Sequence, residues 1–197
     1  QANTDLFQSN QVKKILTSSP HCLNAFKKNY PDLDAGIETT HYTELLDMLI
    51  SQRKLTPLSE IDMKVTYHDP CYLGRHNKVY DAPRRILRSI PGLELIEMQN
   101  HMQRSQCCGG GGGGAWQILP MDENHGVTRI REALDTGAEV IATACPYCIR
   151  MLNDAITKLG AENTIIVRDV AELLLQSVEA SFISGHTEST HQEEYNV

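Results

Sequence analysis

Apolar and polar positions alternate along the chain so as to divide it into short β-rich runs, each feeding a longer helical pattern. Residues 12–17, with Val12, Ile15 and Leu16, predict a strand. Ser19 and Pro20 then open a helix, the serine as cap and the proline in the first turn, where its missing N–H is not needed. Residues 31–40 read as a turn and 42–53 as a helix with Leu45, Leu46, Leu49 and Ile50 on one face. Pro57 and its polar neighbours make 54–62 the expected linker. A strand is predicted over 63–67, a helix over 79–89 with Ile86 and Leu87 turned to a core and Pro91-Gly92 as its stop, and a strand over 93–98. Asp122, Glu123 and Asn124 start a helix to about residue 135 that Gly137 ends. Strands over 139–143 and 164–167 follow, the first entering a helix at Cys145-Pro146, the second a helix capped by Asp169 and running to about residue 178. Residues 1–11 are polar and receive no element. Residues 181–197, with His186 and His191, read as a disordered polar tail rather than a metal site. Strand and helix alternate throughout, which predicts an α/β fold with a largely parallel sheet.

One strand-to-helix passage is written twice. Ser19-Pro20-His21-Cys22 recurs 126 residues later as Cys145-Pro146-Tyr147-Cys148, and Thr43-Glu44-Leu45-Leu46 recurs 128 residues later as Ala171-Glu172-Leu173-Leu174. The chain is therefore expected to hold tandem modules. Residues 1–53 correspond to the C-terminal part of a first, incomplete one, and residues 63–180 to a complete second one. The first copy has Ser19 in place of Cys145, which predicts that it binds no metal, with Cys22 a buried inert thiol and His21 a packing or capping residue. Such a chain is expected to be a fragment or a shortened relative of a longer polypeptide, and its uncovered apolar surface predicts dimerisation or instability.

Composition narrows the function classes. The 197 residues carry a formal charge of -7 and no basic stripe, which argues against nucleic acid as a partner. No stretch approaches the roughly 20 apolar residues of a membrane span, and no secretory signal is read, so the expectation is a cytoplasmic protein, membrane-associated through partner subunits. Arg75, Arg84, Arg85 and Arg88 at helical spacing read as a solvated face rather than an anion site.

Five of the six cysteines fall between Cys71 and Cys148. Thirty-five residues separate Cys71 from the adjacent Cys107 and Cys108, thirty-six separate that pair from Cys145, and two lie between Cys145 and Cys148. A disulfide framework suits small secreted chains, whereas 41% hydrophobic content over this length describes a globular protein of a reducing compartment. Structural zinc takes four ligands, commonly as two CxxC-like pairs, and only one such pair exists. An iron–sulfur cluster fits better, because thiolates from several directions can bind different irons. The glycines 109–114 spell G-x-G-x-x-G only trivially. Gly109, Gly110 and Gly111 instead read as a cofactor-binding backbone whose N–H groups point at thiolates and sulfides. Trp116 is expected to pack as a lid or core anchor.

Cys71, then Cys107-Cys108-Gly109, then Cys145-Pro146-Tyr147-Cys148, with His68-Asp69-Pro70 before the first cysteine, resembles the cysteine-rich CCG domain of the heterodisulfide reductases and their relatives. The resemblance implies tandem CCG modules, a [4Fe-4S] cluster that is non-cubane in the best-defined members, and Cys71, Cys107, Cys108, Cys145 and Cys148 as ligands. It also implies electrons from other redox subunits or a ferredoxin-like domain, and cleavage of a disulfide substrate at an iron by successive one-electron steps. Two competing functions follow from the same residues. One is an electron relay serving a flavin-dependent glycolate, lactate or succinate-type dehydrogenase, and the other is a non-redox zinc-binding structural module.

Overall fold

The computed structural model describes residues 2–30 and 37–185 and has a four-stranded, fully parallel sheet at its centre. Strands β3 (Met63–Tyr67), β4 (Leu93–Leu95), β5 (Val140–Thr143) and β6 (Ile166–Asp169) lie in the order β4-β3-β5-β6. Val65 pairs with Val140 and Tyr67 with Ala142; on the other side Val140 pairs with Ile166 and Thr143 with Asp169. β5 is buried at all four positions, as a strand covered on both faces should be.

Parallel neighbours need crossovers, and α4 (Asp81–Ser89), α5 (His125–Leu134) and α6 (Pro146–Leu159) supply them, with α7 (Val170–Gly185) following β6. Ile141 joins Val127, Ile130, Leu152 and Ile156 of α5 and α6 on one face. Val140 and Ala142 join Ile86, Leu87, Leu173 and Leu174 of α4 and α7 on the other. Helix boundaries follow local chemistry. Asn124 accepts the Val127 N–H at 3.1 Å to start α5, and Gly137 at φ +71° follows its end. β4 stops at Leu95, short of the expected 98. The Ile96 N–H makes a last bond to Val65 O at 2.8 Å, and the chain then leaves the sheet towards the cysteines. β6 begins two residues later than expected, because Thr164 and Ile165 still donate to Ala161 O in a turn.

A second, smaller strand pair shows local features like those of β5 and β6. β1 (Lys14–Thr17) and β2 (Glu38–His41) form a separate parallel pair, with α2 (Pro20–Lys28) and α3 (Tyr42–Ser51) beside it. Thr17 pairs with His41 as Thr143 pairs with Asp169. Both heading residues close the same box. The His41 N–H donates to Glu44 Oε2 at 3.0 Å, and the Asp169 N–H to Glu172 Oε2 at 2.8 Å.

Several local expectations are corrected. Residues 38–40 of the expected turn belong to β2, which ends at His41 and whose Glu-Thr-Thr-His sequence has no apolar alternation to announce it; residues 31–36 of that turn lie outside the described residues. Residues 2–9 form α1 (Ala2–Ser9), where only Thr4 is buried, so no apolar stripe marks it. Ser19 stands at the cap position of α2 with extended backbone but makes no side-chain cap bond. Cys22 is exposed, because α2 turns Pro20 and Leu23 inward and leaves the thiol on its outer side. α7 continues to Gly185, so 181–185 are helical, and the rest of the tail with His186 and His191 lies outside the described residues.

The two-stranded unit shares the core of the four-stranded one. Leu23 is fully buried in the α4/α7 face, with Tyr42, Leu46 and Ile50 packed against it. The Tyr42 hydroxyl donates to Asp169 Oδ1 at 2.6 Å, and Arg85 pairs with Asp47. The segment 54–62 is tied down, with the Leu58 and Ser59 N–H groups donating to Ser177 O and the Ser177 hydroxyl to Ser59 O at 2.7 Å. Among the described residues no helix is long and apolar enough to cross a membrane.

Candidate metal centre

The carboxyl ends of parallel strands are where open α/β sheets present ligands, and three cysteine-bearing turns meet there. The first follows β3. The His68 N–H prolongs the ladder to Ala142 O at 2.9 Å, and Pro70 then turns the chain into Cys71. The second, Cys107-Cys108, follows β4. The third follows β5, with Cys145 at the cap position of α6, Pro146 in its first turn and Cys148 within that turn. The helix amino end lends partial positive charge to both of the last thiols.

The three turns gather five thiols at this edge. Cys108 Sγ lies 3.4 Å from Cys148 Sγ, and the thiols shift one another's protonation in the order Cys71, Cys107, Cys108, Cys148, Cys145. Cys108, Cys145 and Cys148 are buried, while Cys71 and Cys107 lie on the half-open side. Cys107 is driven far below the ordinary thiol range, first because Cys108 and then Cys71 donate to it, with the Gly109 N–H adding a bond to its Sγ at 3.3 Å. Cys71 is correspondingly pushed up by its bond to Cys107, and Cys108 to about 11 by the same neighbour. Cys145 is lowered by a bond from Cys148 and by the N–H groups of Cys148 and Tyr147, and Cys148 is raised by Cys108, Cys145 and burial. Thiols that alternate in this way share protons among a few thiolates, and a metal would take the place of those protons.

The scaffold beneath is ionic and buried. Arg84, 1% exposed, donates from Nη1 and Nη2 to the two oxygens of Asp69 at 2.7 and 2.9 Å, and from Nε and Nη2 to those of Glu97 at 2.7 and 2.9 Å. Asp69 Oδ2 also accepts the Met102 N–H at 2.8 Å, and Arg75 donates to Gln103 O and Ser105 O. One carboxylate thus ties the turn before Cys71 to the loop that delivers Cys107 and Cys108. This overturns the solvated-face reading for Arg84. Arg75, Arg85 and Arg88 are exposed as expected. The signal was present: Arg84 stands four residues after Tyr80 and three before Leu87, both buried, and so shares their face.

Two further buried residues, to which the sequence alone assigns no role, lie beside the cysteines. His68, 1% exposed, has its Nδ1 3.1 Å from Arg129 Nε, and burial followed by the Arg129 charge lowers its pKa to about 3, which keeps the ring neutral. A ring nitrogen of His68 and the sulfurs of Cys108 and Cys148 lie within 4.8 Å of one another. Arg129, fully buried, also donates to Asn100 O at 2.8 Å and Glu132 Oε2 at 2.7 Å.

Of the glycines, Gly109 and Gly110 direct backbone N–H groups at Cys107 and Cys108. Gly109 has φ +86°, a conformation other residues rarely adopt. Around Gly111 a Cβ would meet nothing within 4 Å. Trp116 is 77% exposed with the Arg150 guanidinium 5.7 Å from its ring centre, so it is not a core anchor. The cover beside the cysteine turns comes from elsewhere: His21 of α2 lies 4.2 Å from Tyr72 and 5.3 Å from Tyr147 between ring centres.

Five thiols gathered at the carboxyl edge of a parallel sheet define a cysteine-rich α/β module. Residues 65–153 match the model of the CCG family, the cysteine-rich domain. The chain is 43% identical over 176 residues to the probable iron-sulfur-binding oxidoreductase FadF of Bacillus subtilis, covering 89% of this chain and 25% of that protein. It is 38% identical over 184 residues to the EtfAB:quinone oxidoreductase of Syntrophomonas wolfei, covering 90% and 26%. With a subunit of the dihydromethanophenazine:CoB--CoM heterodisulfide reductase of Methanosarcina barkeri it shares 35% over 179 residues, covering 89% and 43%. The chain thus spans between a quarter and somewhat under half the length of these relatives.

Proposed function

We propose that this chain is the cluster-bearing part of an iron–sulfur oxidoreductase subunit of the heterodisulfide-reductase type, with Cys71, Cys107, Cys108, Cys145 and Cys148 as ligands of a non-cubane [4Fe-4S] cluster. The observation that carries the reading is the convergence of the turns after β3, β4 and β5, which bring all five cysteines to one edge of the sheet and place Cys108 Sγ 3.4 Å from Cys148 Sγ. The donor set fits the group. Five thiolates exceed the four that a structural zinc site uses, and the adjacent Cys107 and Cys108 suit two metal atoms rather than one. Backbone N–H groups of Gly109 and Gly110 face the sulfurs, where donors stabilise negative charge.

When bound, such a cluster supplies one-electron redox chemistry. The chain's own residues fix the three ligand turns, enclose Cys108, Cys145 and Cys148, and leave the Cys71 and Cys107 side half open. An outside sulfur would approach from that side, which supports disulfide reduction. The enclosure of three thiols and the aromatic cover of His21, Tyr72 and Tyr147 favour a second reading, an electron relay that passes electrons without touching substrate. The name of the EtfAB:quinone oxidoreductase relative accords with that second reading. Either role needs further redox subunits or a ferredoxin-like domain as partner, and such partners would be the route to a membrane.

Iron, sulfide and zinc analysis with EPR on protein purified without oxygen tests the proposal. About four irons and four sulfides with a paramagnetic oxidised state are expected, and Cys107→Ser should reduce the iron content. Zinc without sulfide would leave a structural module. A small disulfide or its thiol that alters the EPR signal supports reduction at the cluster; a signal indifferent to both, in protein that exchanges electrons with a flavoprotein, supports the relay.

A further inference from the structure

His68 is a buried imidazole with one edge engaged and the other free. Its Nδ1 faces Arg129 Nε at 3.1 Å, and its Nε2 is buried without a protein partner among the described residues. Arginine is a donor only and keeps its protons. The contact therefore requires Nδ1 to be the accepting nitrogen, and in the neutral ring the proton must sit on Nε2. Arg129 cannot relax this demand by turning away, because it is fully buried and its Nη1 is held by Asn100 O and Glu132 Oε2. The sulfurs of Cys108 and Cys148 lie within 4.8 Å of the ring.

This arrangement is the reverse of a ligating histidine. A histidine that binds metal offers a bare nitrogen and donates from the other one to a carboxylate or carbonyl. If Nε2 were bare, Nδ1–H would point at Arg129 Nε–H, two donors face to face inside the protein. The geometry assigns His68 instead as an N–H donor from Nε2 to sulfur on the Cys108–Cys148 side of the site, with Arg129 as the residue that fixes the proton there. The assignment rests on the cluster reading above. Its consequence is on the redox poise. A hydrogen bond to a thiolate or sulfide strengthens as negative charge on that sulfur grows, so the donor favours the reduced form.

The test is an EPR-monitored redox titration of the protein and two variants. His68→Leu removes the donor, while His68→Gln keeps both functions, since its amide oxygen can accept from Arg129 and its NH2 can donate to sulfur. With full iron in all three, His68→Leu should lower the reduced-to-oxidised ratio at a fixed ambient potential by roughly tenfold, about 59 mV for a one-electron couple, and His68→Gln should restore most of it. An unchanged potential in His68→Leu overturns the assignment. Should His68→Leu fail to fold, pulsed EPR of the unsubstituted protein decides: a weakly coupled exchangeable deuteron that goes with a weakly coupled histidine nitrogen upholds it. A strongly coupled, directly bound nitrogen, or no exchangeable deuteron, overturns it. Absence of iron and sulfide from the unsubstituted protein is a separate result, which removes the cluster reading and this assignment with it.

Discussion

Arg84→Met is the most informative single substitution outside the cysteines. It removes five charge-assisted hydrogen bonds of 2.7 to 2.9 Å, four to Asp69 and Glu97 and one to Tyr80 O, and leaves Asp69, with a side chain 3% exposed, holding only the Met102 N–H. Stranding one member of a buried ion pair typically costs about 3–5 kcal/mol. Glu97 is 25% exposed and can rehydrate, which places the expectation at the lower end, about 3 kcal/mol. Methionine fills much of the arginine stem's volume, so little of this is a cavity effect. With a urea m-value of about 2 kcal/mol/M the unfolding midpoint should fall by about 1.5 M. Arg88→Met is the control: that side chain is 60% exposed and 4.0 Å from Glu97, so it should cost no more than about 0.5 kcal/mol. Adding Asp69→Asn to Arg84→Met should recover about 1 kcal/mol or more by removing the stranded charge. Urea unfolding followed by far-UV circular dichroism measures all four proteins. If Arg84→Met loses no more than Arg88→Met, the ionic hub under the cysteine turns is refuted and Arg84 is a surface residue after all.

Three further outcomes are expected. Burial holds His41 at a pKa of about 4, below its unfolded value near 6.5. The unfolded chain therefore binds more protons between those values, and the contribution of His41 is complete above pH 6.5 and lost as pH falls towards 4, by about 3 kcal/mol at the limit. His41→Asn keeps an N-cap acceptor and should flatten that part of the stability–pH curve; an unaltered slope would show that His41 does not titrate so. A Cβ on Gly114 would lie 2.0 Å from Gly109 O whereas one on Gly111 meets open space, so Gly114→Ala should displace the Gly109 turn and lower iron content, and Gly111→Ala should leave iron content unchanged. Tyr42→Phe removes the 2.6 Å bond to Asp169 that joins the two-stranded unit to the four-stranded one and should cost about 1.5 kcal/mol in thermal or urea unfolding; no loss would mean that water replaces it freely.

The sheet was legible where strands carry apolar runs. Met63–Tyr67 coincides with its predicted strand to the residue, and Val140–Thr143 to within one. β2 was not, because a polar strand in a two-stranded pair has little apolar burial to advertise. The cysteines stood out in the sequence by their spacing, yet the residues that hold them did not. Asp69, Arg84 and Glu97 are charged, and charge is ordinarily a sign of the surface; only the helical register of Arg84 with Tyr80 and Leu87 indicates burial. Arg129 repeats the case, standing among the buried Gly126, Val127, Ile130 and Ala133 of α5. Cys22 fails in the opposite sense: cysteine is commonly buried, but what covers it depends on neighbours that a local reading does not contain.

That last failure explains why one copy of the repeat gathers sulfur and the other does not. The two copies agree in strand register and in the box that heads the following helix. A proline-led helix turn with a cysteine in it is present in both, so the turn alone is not the site. In the complete copy, Cys145 and Cys148 are buried because the turns after β3 and β4 bring Cys71, Cys107 and Cys108 against them, and Asp69 holds those two turns together. The described residues of the first copy contain no strands equivalent to β3 and β4. Cys22 consequently faces solvent, and the neighbouring His21 packs on Tyr72 and Tyr147. The turn that corresponds to the Cys145–Cys148 turn thus packs on the tyrosines that neighbour Cys71 and Cys148. Restoring a cysteine at Ser19 would recreate the local sequence without its three partner thiols, and by this reasoning it would not create a second centre within this chain.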